Sequence, residues 1–417
     1  MSKNKKLSGQ PVICQLLSFI PSELVKSCVS EHNSDHYYKT LTTYRQLVFL
    51  LYGVISKCHS LRNLCKGLLF LDNKLCYLGI DKIPATSTLS DANINRKSDV
   101  FGTIYHRLYQ HYSPYLSEGY MTMFIGGEAD PAKVEIFDSS TISLFVDIFK
   151  GAGRNPMNGK KKGGLKIHTK MPLSGFVPDF IDLSEAASND KTFLGQLNPS
   201  PGVIYVFDKG YVNYQVWEQW TKQGVFYVTR LNENAQYEVL SGQPNHISEY
   251  ANGGIISDQM IRLNAGKTIL EARLIKYKDP ITGMVLKFIA NMFDYEATTI
   301  IQLYKHRWGI EVLFKQIKQN FELGYFFSDS KEGIQTQIWV ALIANLLFTV
   351  IHRQVKECEM FITIVSMASN NLGSYQCLIT LLKRKVPTGK DRNIKIIQQE
   401  LFDNQGGGAF ENQNKSP

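Results

Sequence analysis

Val203-Ile204-Tyr205-Val206-Phe207-Asp208 is an apolar run closed by an aspartate, and Val134-Glu135-Ile136-Phe137-Asp138 ends the same way 70 positions earlier. Short runs rich in β-branched and aromatic residues predict strands. Around them, GLKIHTKMPL and VPDFIDLSEA predict further strands, the 190s a helix, NYQVWEQWTKQ a helix after Asp208, and GVFYVTR a strand ending at Arg230. Strands mixed with crossover helices indicate an α/β layer. In such sheets ligands bind at the strand ends. Two aspartates closing neighbouring strands can share a hard divalent cation such as Mg²⁺, which prefers carboxylate oxygens and also binds substrate phosphate. Taken singly, each aspartate serves equally well as a cap for the turn that follows.

A helix predicted over about 296–320 weighs on that choice. On a wheel of about 100° per residue, Tyr304, Arg307, Glu311 and Lys318 fall within roughly 60° of one stripe, with Lys315 close by. Leu303, Ile310, Leu313, Phe314, Ile317 and Phe321 gather on an adjacent arc. One face therefore packs on a core, and its margin projects a carboxylate flanked by cations. An i,i+4 salt-bridged surface helix would need only Arg307 and Glu311. The aligned tyrosine and the distal lysine are surplus to it.

The run Y-x-x-R-x-x-x-E-x-x-x-x-x-x-K within LYKHRWGIEVLFKQIKQNF resembles the signature of DDE transposases of the insertion-sequence-four family. Asp208-Lys209-Gly210-Tyr211 is similar to that family's second acidic box, and IFDSSTISL, with Asp138, to its first. The resemblance covers roughly 130–325. It implies an RNase H-like catalytic core interrupted by a β-rich insertion, here at about 232–292, where strand-like runs alternate with turns. It implies that Asp138, Asp208 and Glu311 hold two Mg²⁺ ions, with Mn²⁺ as a substitute. It implies phosphate contacts from Tyr304, Arg307, Lys315 and Lys318. Arg230 resembles a position in the box after the second aspartate, where a DNA contact and a buried ion pair are both plausible roles. The activity implied is cleavage of double-stranded DNA at terminal inverted repeats and strand transfer to target DNA, by a homodimer bridging two ends. The family often holds a flipped base with an aromatic of the insertion. No tryptophan lies in 232–303; Tyr237, Tyr277 and Phe288 are the available substitutes.

Outside this core, residues 1–120 read as a helical DNA-binding region, from apolar spacing of three and four in LTTYRQLVFLLYGVISKCHSLRNLCKGLLFL. A supporting helical bundle fits the same pattern. Helices are expected over 326–390, and 403–417 is expected to be disordered. Lys160, Lys161, Lys162 and Lys166, in GRNPMNGKKKGGLKIHTK, form a basic Gly-rich stretch able to clamp the DNA backbone, or simply a solvated loop. His168 is expected to be structural, and Trp217, Trp220, Trp308 and Trp339 to lie in the core.

Composition agrees with a polyanionic partner: 46 Lys plus Arg against 37 Asp plus Glu, net +9. The seven cysteines form no C-x-x-C pair, which argues against a zinc site or a disulfide framework. Ile338–Ile351 is the longest apolar run and reads as a buried core helix, too short to span a bilayer. The N-terminus lacks the features of a signal peptide. A cytoplasmic, nucleoid-associated prokaryotic protein with no membrane role is expected. Two rival readings keep the same fold: a domesticated DNA-binding protein and a stand-alone metal-dependent nuclease.

Overall fold

The computed structural model describes residues 9–117, 125–144, 163–240, 254–355 and 360–383, apart from positions 72, 126, 176, 189, 266, 267 and 322. The expected tail and Lys160, Lys161 and Lys162 lie outside the described residues. The architecture is mixed α/β, with one nine-stranded sheet.

Six helices come first: α1 (Val12–Leu17), α2 (Ser22–His32), α3 (Thr43–Ile55), α4 (Leu61–Leu69), α5 (Thr86–Asn95) and α6 (Asp99–Ser117). The strands are β1 (Val134–Ser143), β2 (Gly164–Pro172), β3 (Phe180–Glu185), β4 (Ile204–Phe207), β5 (Phe226–Arg230), β6 (Tyr237–Val239), β7 (Ile255–Ala265), β8 (Thr268–Lys278) and β9 (Val285–Ala290). Between them run α7 (Lys191–Leu194) and α8 (Tyr214–Lys222). After β9 come α9 (Ala297–His306), α10 (Trp308–Asn320), α11 (Lys331–Gln354), α12 (Phe361–Ser369) and α13 (Leu378–Leu382).

The strand order is β3-β2-β1-β4-β5-β9-β8-β7-β6. β1, β2 and β3 pair antiparallel, β1 is parallel to β4 and β4 to β5, and the remaining pairs are antiparallel. The crossover through α8 is what lets β4 and β5 run parallel. The strands of the 232–292 stretch prolong the same sheet through β9, which pairs with β5.

Side chains alternate between the two faces. Phe137, Tyr205, Phe207 and Tyr227 point to one face and meet Phe193, Tyr211, Trp217 and Trp220 in a dense aromatic core. The Phe137 and Phe207 rings stack with centroids 4.6 Å apart. Ile136, Ile204, Val206 and Val228 point to the other face, into a core shared with α9, α10 and the N- and C-terminal helices. At the centre of the helical layer, α11 packs against α3, α5, α6, α10 and α12. By length and composition α11 could cross a membrane, but 89% of its apolar window is buried within the protein.

Two expectations change in detail. The first acidic strand does not end at Asp138: β1 continues to Ser143, held by β2 alone. It is β4 that stops, at Phe207, because Asp208 turns to accept a hydrogen bond from the Gly210 backbone N–H (3.4 Å) and caps a short 3₁₀ turn. The helix expected over 296–320 is two, α9 and α10, meeting at Arg307. There the backbone N–H bonds three residues back, to Tyr304 (3.1 Å), and tightens the turn.

Residues 56–60 join α3 to α4, which approach closely at Gly53. A Cβ there would overlap Leu64 of α4 and come within 2.9 Å of the Phe327 ring. Gly53→Ala should therefore destabilise the protein by about 1–3 kcal/mol through overpacking. Thermal or urea unfolding measures this, and an unchanged midpoint would show that the two helices are less tightly apposed.

Candidate active site

The register of β1 against β4 places Phe137 opposite Phe207, so Asp138 and Asp208 occupy equivalent positions on adjacent parallel strands. Asp138 is in phase with Ile136, on the face that α9 and α10 cover. From those helices come Tyr304, Arg307 and Glu311. Arg307 Nη1 donates to Asp138 Oδ2 (3.0 Å) and lies 2.7 Å from Glu311 Oε1. The Tyr304 hydroxyl lies 3.5 Å from Asp208 Oδ1. The backbone N–H of Ser139 donates to Asp138 Oδ1 at 2.7 Å. Asp138 and Glu311, distant in sequence, thus meet at one guanidinium, and Asp208 stands beside them at the Tyr304 hydroxyl.

The electrostatics follow from that crowding. Burial pushes the Asp138 carboxyl up to about 6, and Asp208 and Glu311 push it the same way; the Ser139 N–H and Arg307 oppose them. Burial alone would lower the Arg307 pKa, but Tyr304, Asp138 and Glu311 outweigh it and hold the guanidinium firmly charged. Its Nε–H is buried with no hydrogen-bond partner. Asp138 and Glu311 therefore share a single cation while Asp208 adds its charge nearby, a surplus of negative charge that a divalent ion would relieve.

An oxygen-only carboxylate donor set suits a hard divalent cation. Among the described residues, however, no three His, Cys, Asp or Glu side chains stand at metal-holding spacing. Arg307 stands between Asp138 and Glu311 instead. The donor chemistry fits a metal, and Arg307 offsets only part of the carboxylate charge.

Several residues differ from their expected surroundings. Arg307 is engaged with the carboxylates rather than presented to phosphate. Lys318 Nζ donates to Ser140 Oγ (2.8 Å) and to the Thr141 carbonyl (3.0 Å), tying α10 to the prolonged half of β1. Lys166 is not on a clamp loop: it is a buried residue of β2, 2.9 Å from Asp190 and bonded to the Ser188 carbonyl. Asp190 and the Ser188 carbonyl draw its ammonium inward. Lys315 is exposed on α10. Arg230 closes β5, half-buried, near enough to Tyr304 to favour its phenolate. Trp308 is 64% exposed, whereas Trp217, Trp220 and Trp339 are buried as expected. It follows the turn at Arg307, which sets it on the outer side of α10. Of the three aromatics expected to hold a base, Tyr277 and Phe288 are buried in the sheet and Tyr237 is half-buried.

Sequence reasoning missed Asp190. Its Oδ1 accepts from Ser139 Oγ (3.3 Å) and from Lys166. Gly210 sits between Asp190 and Asp208, a Cβ built on it lying 3.9 Å from Oδ2 of each. Nothing in the local sequence marks this aspartate, because its partners come from three other elements. His168 is buried, kept neutral by burial, and stacked on Phe193.

The family model for the transposase DDE domain matches residues 131–347. The chain belongs to this family. The matched segment holds Asp138, Asp208 and Glu311, the whole sheet and most of α11. A second family model, described as a domain of unknown function, matches residues 8–81. Among curated relatives, a putative transposase of Sinorhizobium fredii is 28% identical over 225 residues, 53% of this chain and 62% of the relative. A probable transposase for an insertion sequence element of Geobacillus stearothermophilus is 22% identical over 54% of this chain and 59% of its own length. A putative insertion-sequence transposase of Synechocystis is 24% identical over 53% and 61%. The similarity thus spans about three-fifths of these relatives. Among solved structures, a piggyBac transposase synaptic complex with hairpin DNA is similar at a TM-score of 0.42 and 12% identity, covering 95% of this chain and 84% of that one.

The DDE domain's buried aspartate carries a pH signature. A folded-state pKa raised to about 6 means that ionising Asp138 costs stability. That cost is absent below the ordinary carboxylate pKa and fully present above about pH 6. Without divalent cations, Asp138→Asn should therefore melt higher than the parent chain at about pH 8, with the advantage fading towards about pH 4. Melting curves across that range measure it; a gap that does not change with pH would mean the carboxyl is not perturbed by burial.

Proposed function

We propose that this chain is a transposase that cleaves DNA at the terminal inverted repeats of an insertion sequence and transfers the freed 3′ ends to target DNA. The observation that carries this reading is the meeting of Asp138, Asp208 and Glu311 around Arg307 and Tyr304. An RNase H-like core is supported by the order β3-β2-β1-β4-β5, with an antiparallel trio followed by parallel β1, β4 and β5. On this reading the helices before β1 bind DNA, the 232–292 stretch is an insertion, and the later helices brace α10.

Two Mg²⁺ ions, or Mn²⁺, held by Asp138, Asp208 and Glu311 would activate the attacking oxygen and stabilise the leaving one during in-line displacement at phosphorus. The chain's own residues do the rest. β1 and β4 hold the two aspartates side by side. α10 brings Glu311 across from them. Arg307 offsets part of the carboxylate charge and ties Asp138 to Glu311. Lys318 fixes the angle of α10 against β1. Lys315 and Arg230, which make no ion pair among the described residues, are placed to meet backbone phosphates. Two copies bridging two DNA ends, in the cytoplasm at the nucleoid, complete the proposal.

Glu311→Gln should abolish cleavage in Mg²⁺ or Mn²⁺ and leave DNA binding nearly intact. Retained cutting of end-containing duplexes would remove Glu311 from the reaction, and hydrolysis without joining of 3′ ends would leave a nuclease. In the parent chain Ca²⁺ should support binding only.

Lys315→Ala should weaken binding of all duplexes alike and lower the salt dependence by about one phosphate contact, a slope change of about 0.9. Titrations at several salt concentrations decide this; an unaltered slope excludes the contact.

A further inference from the structure

From His36 to Leu71 the chain carries five cations (Lys39, Arg45, Lys57, Arg62 and Lys66) and not one Asp or Glu. This acid-free stretch contains α3, the turn at 56–60 and α4. Its cations are used differently. Arg45 lies 3.2 Å from Asp81. Lys57 donates to the Gln319 carbonyl at 2.9 Å. Arg62 and Lys66 are exposed and make no ion pair among the described residues.

The faces of α4 are sharply divided. Leu61, Leu64, Cys65 and Leu68 are buried against the neighbouring helices. The outer face presents Arg62, Asn63 and Lys66 over the first two turns, then Leu69 (62% exposed) and Phe70 (83% exposed). Ser60 caps the helix by accepting from the Asn63 backbone N–H at 3.2 Å, which leaves the Asn63 amide free of the cap. Leu69 and Phe70 thus stand exposed beside two cations that make no ion pair among the described residues.

Duplex DNA answers each of these features. Its phosphates complement an acid-free basic stretch. Arg and Lys pair with guanine, Asn with adenine, and apolar side chains touch the thymine methyl in the major groove, which admits one α-helix. Reading helices commonly use their N-terminal residues for base edges. We infer that α4 is a DNA-reading helix, with Arg62, Asn63 and Lys66 on base edges and Phe70 at the groove wall. This rests on the transposase reading and adds where sequence is read.

The same turn is fastened to the catalytic helix. Besides Lys57 on Gln319, His59 packs edge-on against Tyr325, with centroids 4.8 Å apart. Gln319 lies eight residues beyond Glu311 on α10, about 12 Å along its axis. The turn that leads into α4 is thus tied to the C-terminal end of the helix that carries Glu311.

The test is selection from a random 40-base-pair duplex library by the full chain in Ca²⁺, followed by sequencing of the bound fraction. The parent chain should enrich a short motif. Asn63→Ala and Arg62→Lys should each relax it at one or two positions by about tenfold. Arg62→Lys keeps the charge while removing the two-pronged donor. Lys315→Ala should weaken binding and leave the motif intact. Cleavage of the enriched duplexes in Mn²⁺ should fall within about ten base pairs of the motif. An unchanged motif in both α4 variants, with melting temperatures equal to the parent's, overturns the assignment to α4. Binding without any enriched motif overturns sequence reading while leaving the proposed function standing. No duplex binding at all would sink both.

Discussion

Like charges gathered in one place must be compensated, and in this protein the compensation is Arg307. One of its nitrogens reaches both Asp138 and Glu311, and its plane lies over the Tyr304 ring, 5.3 Å from the centroid. Without that cation, Asp138 of β1 and Glu311 of α10 would face each other as like charges, and α10 would lose a tie to β1. Lys318 supports the arrangement from the far end of α10 by bonding to Ser140 and Thr141. The helix is held to the strand by one charge beside the acids and by another beyond them.

The sheet supplies the other half of the geometry. Stacked Phe137 and Phe207 fix the register between β1 and β4. A slip of one residue would send Asp138 into the aromatic core on the opposite face. Each face therefore has a distinct task. Trp217, Trp220 and their neighbours set the strands, and the aliphatic face receives the helices that complete the acidic cluster. Asp190 works behind this cluster, with Lys166 offsetting its charge and Ser139 linking it to the backbone that holds Asp138.

Legibility differed from one element to the next. The aspartate-closed runs at 134–138 and 203–208 announce strands because strand pattern is local, with period two. The stripe of Tyr304, Arg307, Glu311 and Lys318 announces a shared helix edge for the same reason. The tightening at Arg307 was not legible, since a single bond to Tyr304 three residues back leaves the apolar pattern in phase. Lys166 read as a loop cation because it follows three lysines in a Gly-rich stretch. Its burial depends on β2 pairing with β1 and on Asp190, more than twenty residues away. Trp308 read as core because tryptophan usually is, yet its place beside the turn faces it outward.

By itself, the amino-acid order determined which residues could serve: two aspartates at the ends of apolar runs, a glutamate between cations on a helix, and a basic N-terminal stretch without acids. These are properties of neighbours along the chain, which hydrophobic periodicity and charge spacing express directly. Only the tertiary structure decided how each was used. Pairing of β1 with β4 set the aspartates side by side, Arg307 turned inward, Lys318 and Lys57 became ties between elements, and Asp190 joined the site. Those outcomes depend on contacts between segments far apart in sequence, whose energies exist only once the chain has closed on itself.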